Sequence, residues 1–253
     1  MASNHGFGID IGGSGIKGGI VDLNVGALIG DRKRIDTPQP SRPDAVADVV
    51  AEIVQSFGWT GPVGVTLPSV IKLGTALSAA NIDKHWCNLN AAELFATRLH
   101  LPSTDVVVLN DADAAGLAEV NHGQANGVPG VVVLLTFGTG IGSALFLDGK
   151  LVPNTEFGHL QVDGHDAEKR AAASVKEDKD LSWEQWAHRV STYLRALEDL
   201  ISPDLIIAGG GVSKKADKWL SLLDNRTKVV AADLKNDAGI VGAAAAAVRG
   251  IAH

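Results

Sequence analysis

Residues 8–23 read GIDIGGSGIKGGIVDL, and the reading of this glycine cluster decides the fold. Gly13, Gly15 and Gly18 match the spacing of a dinucleotide-binding turn, which requires a strand before the glycines and a helix after them. The strand is present, because Phe7, Ile9 and Ile11 alternate with smaller or polar residues. Beyond the glycines stand Ile20-Val21-Asp22-Leu23, a turn at Asn24 to Gly26, and Ala27-Leu28-Ile29. Short apolar runs punctuated by Asn and Gly predict a β-meander, so the dinucleotide reading fails on context. A Walker loop fails on letters, since G-x-x-x-x-G-K-[ST] does not occur.

The chain has 253 residues, which at ~150 per domain places it between one and two domains. Its 45% hydrophobic and 20% charged residues are ordinary for a soluble globular protein, and its 29 glycines fall in discrete clusters. A net charge of −7 argues against nucleic acid as a partner. The single cysteine, Cys87, excludes an internal disulfide and a multi-cysteine zinc site. Residues 1–5 carry no apolar signal region and no apolar run approaches ~20 residues, so no membrane association and a cytoplasmic location are expected.

Apolar spacing predicts helices over 45–57, 91–99, 183–200 and 237–248, and a further helix over 212–223 opened by Gly209-Gly210-Gly211. Strands are predicted at 62–67, 105–109, 131–137, 144–147, 204–208 and 229–230, and Asn110-Asp111 begins a helix running to about 121. DIGGSGIKGGIVDL (10–23) and TFGTGIGSALFLDG (136–149) share one plan: strand, glycine turn with a hydroxyl residue, returning strand, acid. The pair predicts an internal duplication, two α/β halves with a cleft between them.

In the first turn, backbone N–H groups free of side chains can approach phosphate oxygens. Asp10 can hold a hydrated magnesium ion there, and Ser14 and Lys17 can reach phosphate; a glycine hairpin without a ligand is the alternative. The string D-x-G-G-[ST]-x-x-K resembles the first phosphate motif of the sugar-kinase/actin/heat-shock ATPase superfamily. Gly138 to Gly142, with Thr139, resembles its second phosphate motif, and Gly209-Gly210-Gly211 its nucleoside-side motif. Asp111 suits a carboxylate that takes the proton of an attacking sugar hydroxyl, although Asn110, Asp111 and Asp113 could each cap the helix instead. Glu156, His159 and Glu168 supply the acceptors and donors that vicinal hydroxyls need. Zinc on His159 and His165 is the competing reading, but without cysteines the set is poor for a tetrahedral site, and no zinc is expected.

With Glu156-x-Gly-His159, the chain is similar to the ROK sugar kinases, and most of all to their polyphosphate and polyphosphate/ATP glucokinases and glucomannokinases. Motifs carrying the resemblance extend from GIDIGG through NDADAAGLAE (110–119) and GTGIGSA (138–144) to GGGVSK (209–214). It implies an α/β fold of two domains, the actin-like ATPase (ribonuclease H-like) fold. The smaller domain would span 1–109, completed by the last helix at about 237–253, and the larger 110–236. It implies phosphorylation of glucose, with mannose as a second sugar, by polyphosphate, with ATP as a second donor, in a magnesium-dependent homodimer. Asp111 would be the general base, with Asn81, Asn110, Asp111, Glu156, His159 and Glu168 on the sugar. The donor would be held by Asp10, Gly12, Gly13, Ser14, Gly15, Lys17, Gly138, Thr139, Gly140, Gly210, Gly211 and Lys214, with Asp10 on magnesium through water. Lys214 and Lys218, one helical turn apart, and Lys215 would extend a donor groove.

The chain departs from the pattern in three ways. Ser14 replaces a commoner threonine, the cysteine-rich zinc motif of many ROK proteins is missing, and Phe157 and Gln161 stand where leucine and glutamate are expected. A ROK-type sugar-sensing repressor is the rival reading. It would carry a DNA-binding segment before the first turn, where this acidic chain has only a few residues.

Overall fold

β1 (His5–Ile11) and β2 (Ile16–Asp22) form the antiparallel hairpin that residues 8–23 predict, with Asp10 opposite Lys17. The computed structural model describes residues 4–79 and 82–251. β3 (Ala27–Leu28) and β4 (Lys33–Ile35) both pair with β2, completing the meander. α1 (Pro43–Ser56) starts on a proline, whose missing N–H costs nothing in a first turn, and leads into β5 (Val63–Leu67). A small sheet of β6 (Ile71–Lys72), β7 (Thr75–Ala76) and β8 (Leu89–Asn90) precedes α2 (Ala91–Leu99). β9 (Val106–Asn110) then runs directly into α3 (Asp111–His122). The large sheet has the order β3-β2-β1-β5-β9, with β1, β5 and β9 parallel.

The second cycle repeats this plan. β10 (Val131–Phe137) and β11 (Ile141–Leu147) are the hairpin, and β12 (Lys150–Val152) lies on its outer side. A two-stranded hairpin of β13 (Gln161–Val162) and β14 (His165–Asp166) comes next, then α4 (Glu168–Ala171), α5 (Ala173–Asp178) and the long α6 (Trp183–Ile201). α6 is fixed at its start by a capping box, Ser182 and Gln185 bonding each other's backbone N–H. β15 (Leu205–Gly210) and β16 (Val229–Ala231) add in parallel, giving the order β12-β11-β10-β15-β16. This five-strand order matches β3-β2-β1-β5-β9 of the first sheet, which has β4 in addition; it is the duplication expected from the two glycine motifs.

α7 (Ala238–Arg249) returns to the first sheet. The chain divides into two compact units: residues up to Ala118 with those from Asp237 onward, and Glu119–Asn236. The first has its core around Phe7, Ile9, Val65, Trp86 and Phe95; the second is built on Phe137, Trp186 and Trp219, whose rings meet edge to face. Alanine-rich α7 lies with its backbone close to β1 and β5, because a Cβ on Gly8 would collide with the Ile240 carbonyl and one on Gly64 with that of Ala243.

One predicted element differs. Instead of an α-helix over 212–223, the chain makes 3₁₀ turns at Gly211–Lys218 and Leu220–Leu222, with Lys215 outside helical geometry. Trp219 is fully buried and its indole N–H donates to the Val212 carbonyl, while the Ser213 hydroxyl donates to the Gly210 carbonyl. These local bonds tighten the segment, and its polar run SKKADK has no apolar stripe to hold an α-helix. Lys214, Lys215 and Lys218 are exposed, but the α-helical turn expected to align Lys214 with Lys218 does not form.

Candidate active site

In the first unit, the parallel register aligns the carboxyl ends of three strands, with Asp10 beside Thr66 and Leu67 beside Asn110. Such strand ends are where open α/β sheets bind ligands. Asp10 closes β1. Its Oδ1 accepts from the Thr66 hydroxyl at 3.1 Å, and its Oδ2 lies 3.4 Å from the Lys17 ammonium. Thr66 is fully buried and also accepts from the Ile11 N–H, so it fixes the Asp10 carboxylate. The adjoining glycine turn is closed by the Gly12 N–H donating to the Gly15 carbonyl at 3.1 Å. No atom would lie within 4 Å of a Cβ on Gly13, so this backbone is open to a ligand. Arg34 of β4 donates to the Ser14 carbonyl at 2.9 Å, bringing a second cation to the turn.

Asn110 and Asp111 divide the work that the sequence left open between them. Asn110 is buried; its Oδ1 accepts from the N–H groups of Ala112 and Asp113, and its Nδ2 donates to the Ser69 carbonyl. The cap is therefore Asn110. Asp111, exposed at the first position of α3, accepts from the Ala112 N–H at 2.9 Å. Asn81 lies outside the described residues.

In the second unit, β10 and β15 are parallel with Phe137 beside Gly210, so the turn at 138–142 and Gly210-Gly211 emerge side by side. Gly210 has φ +80°, and a Cβ there would also strike the Phe137 carbonyl, so only glycine suits the position. The Gly138 N–H donates to the Gly140 carbonyl at 2.9 Å, a closure of the same kind as in the first turn. Ser174 braces this turn, its hydroxyl on the Thr139 carbonyl and its N–H on that of Gly138.

Glu156, His159 and Glu168 come together in this unit. Glu156 precedes a short 3₁₀ turn, Phe157–His159, held by the Phe157 N–H on the Ser143 hydroxyl. Burial pushes the Glu156 carboxyl above the usual carboxylate range, opposed by His159 and reinforced by Glu168. His159 Nδ1 donates to Asp166 Oδ2 at 3.1 Å and lies 3.8 Å from Glu168 Oε1. The hydrogen bond to Asp166 raises the imidazole pKa, burial opposes it, and the charges of Glu168, Asp166 and Glu156 add to the rise. With Nδ1 engaged, Nε2 is the ring atom left for a ligand. Glu168 Oε2 accepts from the Ile141 N–H at 3.3 Å, and the same oxygen sits against Gly140, so this carboxylate joins the histidine to the second glycine turn.

Ligand atoms of His159, Asp166 and Glu168 lie within 4.8 Å of one another, a set a divalent cation could use; here they serve one another. Asp10 suits magnesium differently. It is a single, partly exposed carboxylate next to a lysine, which fits an ion that keeps most of its waters and shares a phosphate. Thr66, Asp166, Ser174 and Arg34 escaped the sequence reading. Only Asp166, inside VDGHDAE, lay near a recognised pattern.

A model of the ROK family matches residues 6–174. A polyphosphate glucokinase of Mycobacterium tuberculosis (strain CDC 1551 / Oshkosh) is 59% identical over 249 residues, 98% of this chain and 93% of that protein. The crystal structure of an inorganic polyphosphate/ATP-glucomannokinase from Arthrobacter sp. strain KM superposes with a TM-score of 0.91 at 50% identity, covering 97% of this chain and 99% of its own. A ROK family glucokinase from Streptomyces griseus, crystallised with glucose and AMPPNP, has a TM-score of 0.82 at 25% identity, covering 97% and 99%. The chain belongs to the ROK family and has the actin-like ATPase fold of that family's sugar kinases.

Proposed function

We propose that this protein transfers the terminal phosphoryl group of inorganic polyphosphate to the 6-hydroxyl of glucose. ATP serves as a second donor and mannose as a second acceptor, and the protein acts as a homodimer. The observation that carries this reading is likeness to polyphosphate glucokinase along almost the whole chain, which takes in both glycine turns, Asp111 and Glu156-x-Gly-His159. A sugar-sensing regulator is not favoured beside it.

In this reading the 6-hydroxyl oxygen attacks the terminal phosphorus, the bridging P–O bond breaks, and Asp111 takes the hydroxyl proton. Asn110 caps the helix, and Asp111 stands exposed at its first position. Glu156, His159 and Glu168 hold sugar hydroxyls, with Asn110 and Asn81 as further ligands. The turns at Gly12, Gly13, Ser14 and Gly15, at Gly138, Thr139 and Gly140, and at Gly210 and Gly211 offer backbone N–H groups to phosphate. Lys17 neutralises charge beside the reacting end, and Lys214 farther along the donor. Magnesium, when bound, screens the donor's charge, and Asp10 would hold it through water.

Glucose 6-phosphate formation assayed with polyphosphate and with ATP in parallel tests the reading. Both donors should support turnover. Activity with ATP alone would overturn polyphosphate use, and activity with neither would overturn the kinase assignment. Light scattering should give twice the chain mass.

A further inference from the structure

A cavity of about 130 Å³ lies in the second unit between α6 and residues 162–171. That is close to the ~150 Å³ that holds a benzene-sized guest and several times the ~30 Å³ share of a water. Arg170 reaches it from α4, and His188, Arg189 and Tyr193 from α6. Two features set it apart from an ordinary surface dent. The first is Tyr193, 2% exposed, whose hydroxyl has no hydrogen-bond partner among the described residues. Buried hydroxyls are normally satisfied, so this one is a donor awaiting an acceptor.

The second feature is charge. Arg32, Arg34, Arg98, Arg195 and Arg226 are each paired with a carboxylate, whereas the side chains of Arg170 and Arg189 have no ion-pair partner among the described residues. The lining holds one carboxylate, Asp163, so two guanidinium groups still leave it positive in a chain of net charge −7. Paired guanidinium forks and a hydroxyl donor suit a tetrahedral oxyanion, and the small apolar side chains between them suit a compact body attached to it.

We propose that this cavity binds a small phosphate-bearing anion, at a place separate from the glycine turns. Arg170 and Arg189 grip the phosphate oxygens, Tyr193 donates its hydroxyl, and His188 stands at the edge. Val162 and Asp163, in the lining, belong to the β13–β14 hairpin that carries Asp166, so the anion also braces that hairpin. Orthophosphate and a sugar phosphate share the required chemistry.

The test tracks the His188 imidazole resonance, assigned with His188→Gln, while orthophosphate or glucose 6-phosphate is added to the protein. At least one should shift it saturably, and the one that binds more tightly identifies the source. Arg170→Gln/Arg189→Gln should weaken that binding at least about tenfold, as expected for lost charged hydrogen bonds. Tyr193→Phe, which keeps the ring packed, should weaken it less. Amide exchange across 161–166 should slow with the anion in the wild type and not in the double variant. None of these readouts depends on turnover, so the proposal stands or falls apart from the kinase reading. An unmoved His188 resonance with both anions, or equal affinity in the double variant, would overturn it.

Discussion

The two glycine turns share one backbone device and differ in the charged side chains brought to it. Each is closed by its first glycine, Gly12 N–H to the Gly15 carbonyl and Gly138 N–H to that of Gly140. Around the first stand two ion pairs, Lys17 with Asp10 and Arg34 with Asp36, and Arg34 is also bonded to the Ser14 carbonyl. Around the second stands Glu168, bonded to the Ile141 N–H and pressed on Gly140. The duplicated strands set the shape twice, and the side chains around each turn, Lys17 and Arg34 at one and Glu168 at the other, set the two apart. Through Glu168 the acid-backed turn is tied to His159.

The sharpest asymmetry is an acid. β9 runs into Asp111, whereas its counterpart β16 ends at Ala231. Asp111→Ala should lower kcat by ~10²–10⁴, about 3–5 kcal/mol of barrier, with the glucose Kd from calorimetry unchanged. A folded variant keeping more than about a tenth of wild-type kcat would break the assignment.

Exchanging the charges at the turns comes next. Lys17→Met should raise the polyphosphate KM about tenfold or more at unchanged glucose KM, and Glu168→Gln should do the reverse, since each removes a charged contact. The donor effect of Lys17 should shrink in high salt, the sugar effect of Glu168 far less. If both variants shift the same KM, the contrast between the turns is lost.

A smaller effect comes from one methyl group. Gly140→Ala drives a Cβ into the Glu168 carboxylate and should cost about 1–3 kcal/mol in a denaturant melt, with a raised glucose KM. Gly13→Ala, in open space, should stay within about 0.5 kcal/mol. Equal losses at both positions would show that crowding by Glu168 is not what separates the turns.

The mildest change is at Asp166. Asp166→Asn removes the main cause of the raised His159 pKa, so an NMR titration should place the imidazole lower than in the wild type. Linkage gives the sign. A raised folded pKa stabilises below the unfolded value and is lost as pH rises through the folded one. The variant should therefore lose its low-pH advantage while matching the wild type above the wild-type His159 pKa.

The range of each interaction decides whether the sequence shows it. Alternating Phe7, Ile9 and Ile11 and the glycine spacing are local, and they place both hairpins in the chain. Asn110 and Asp111 could not be told apart from NDAD alone, because the cap is settled by where the Asn110 amide meets Ser69, 41 residues away. Thr66 reaches Asp10 over 56 residues, with no spacing that announces it. The helix expected over 212–223 failed on a different ground: Trp219 is apolar at a helical interval, but its buried indole is held by Val212, and the turns tighten around it.

Because α7 covers β1 and β5 at backbone distance, the first sheet is buried by residues made some 230 positions after its opening strand. On the ribosome, the contiguous stretch Glu119–Asn236 can close its own core as it emerges. The earlier-made half must wait for the helix that completes it, leaving the apolar faces of β1 and β5 to solvent or to a chaperone meanwhile. The half synthesised second is therefore the one free to fold first.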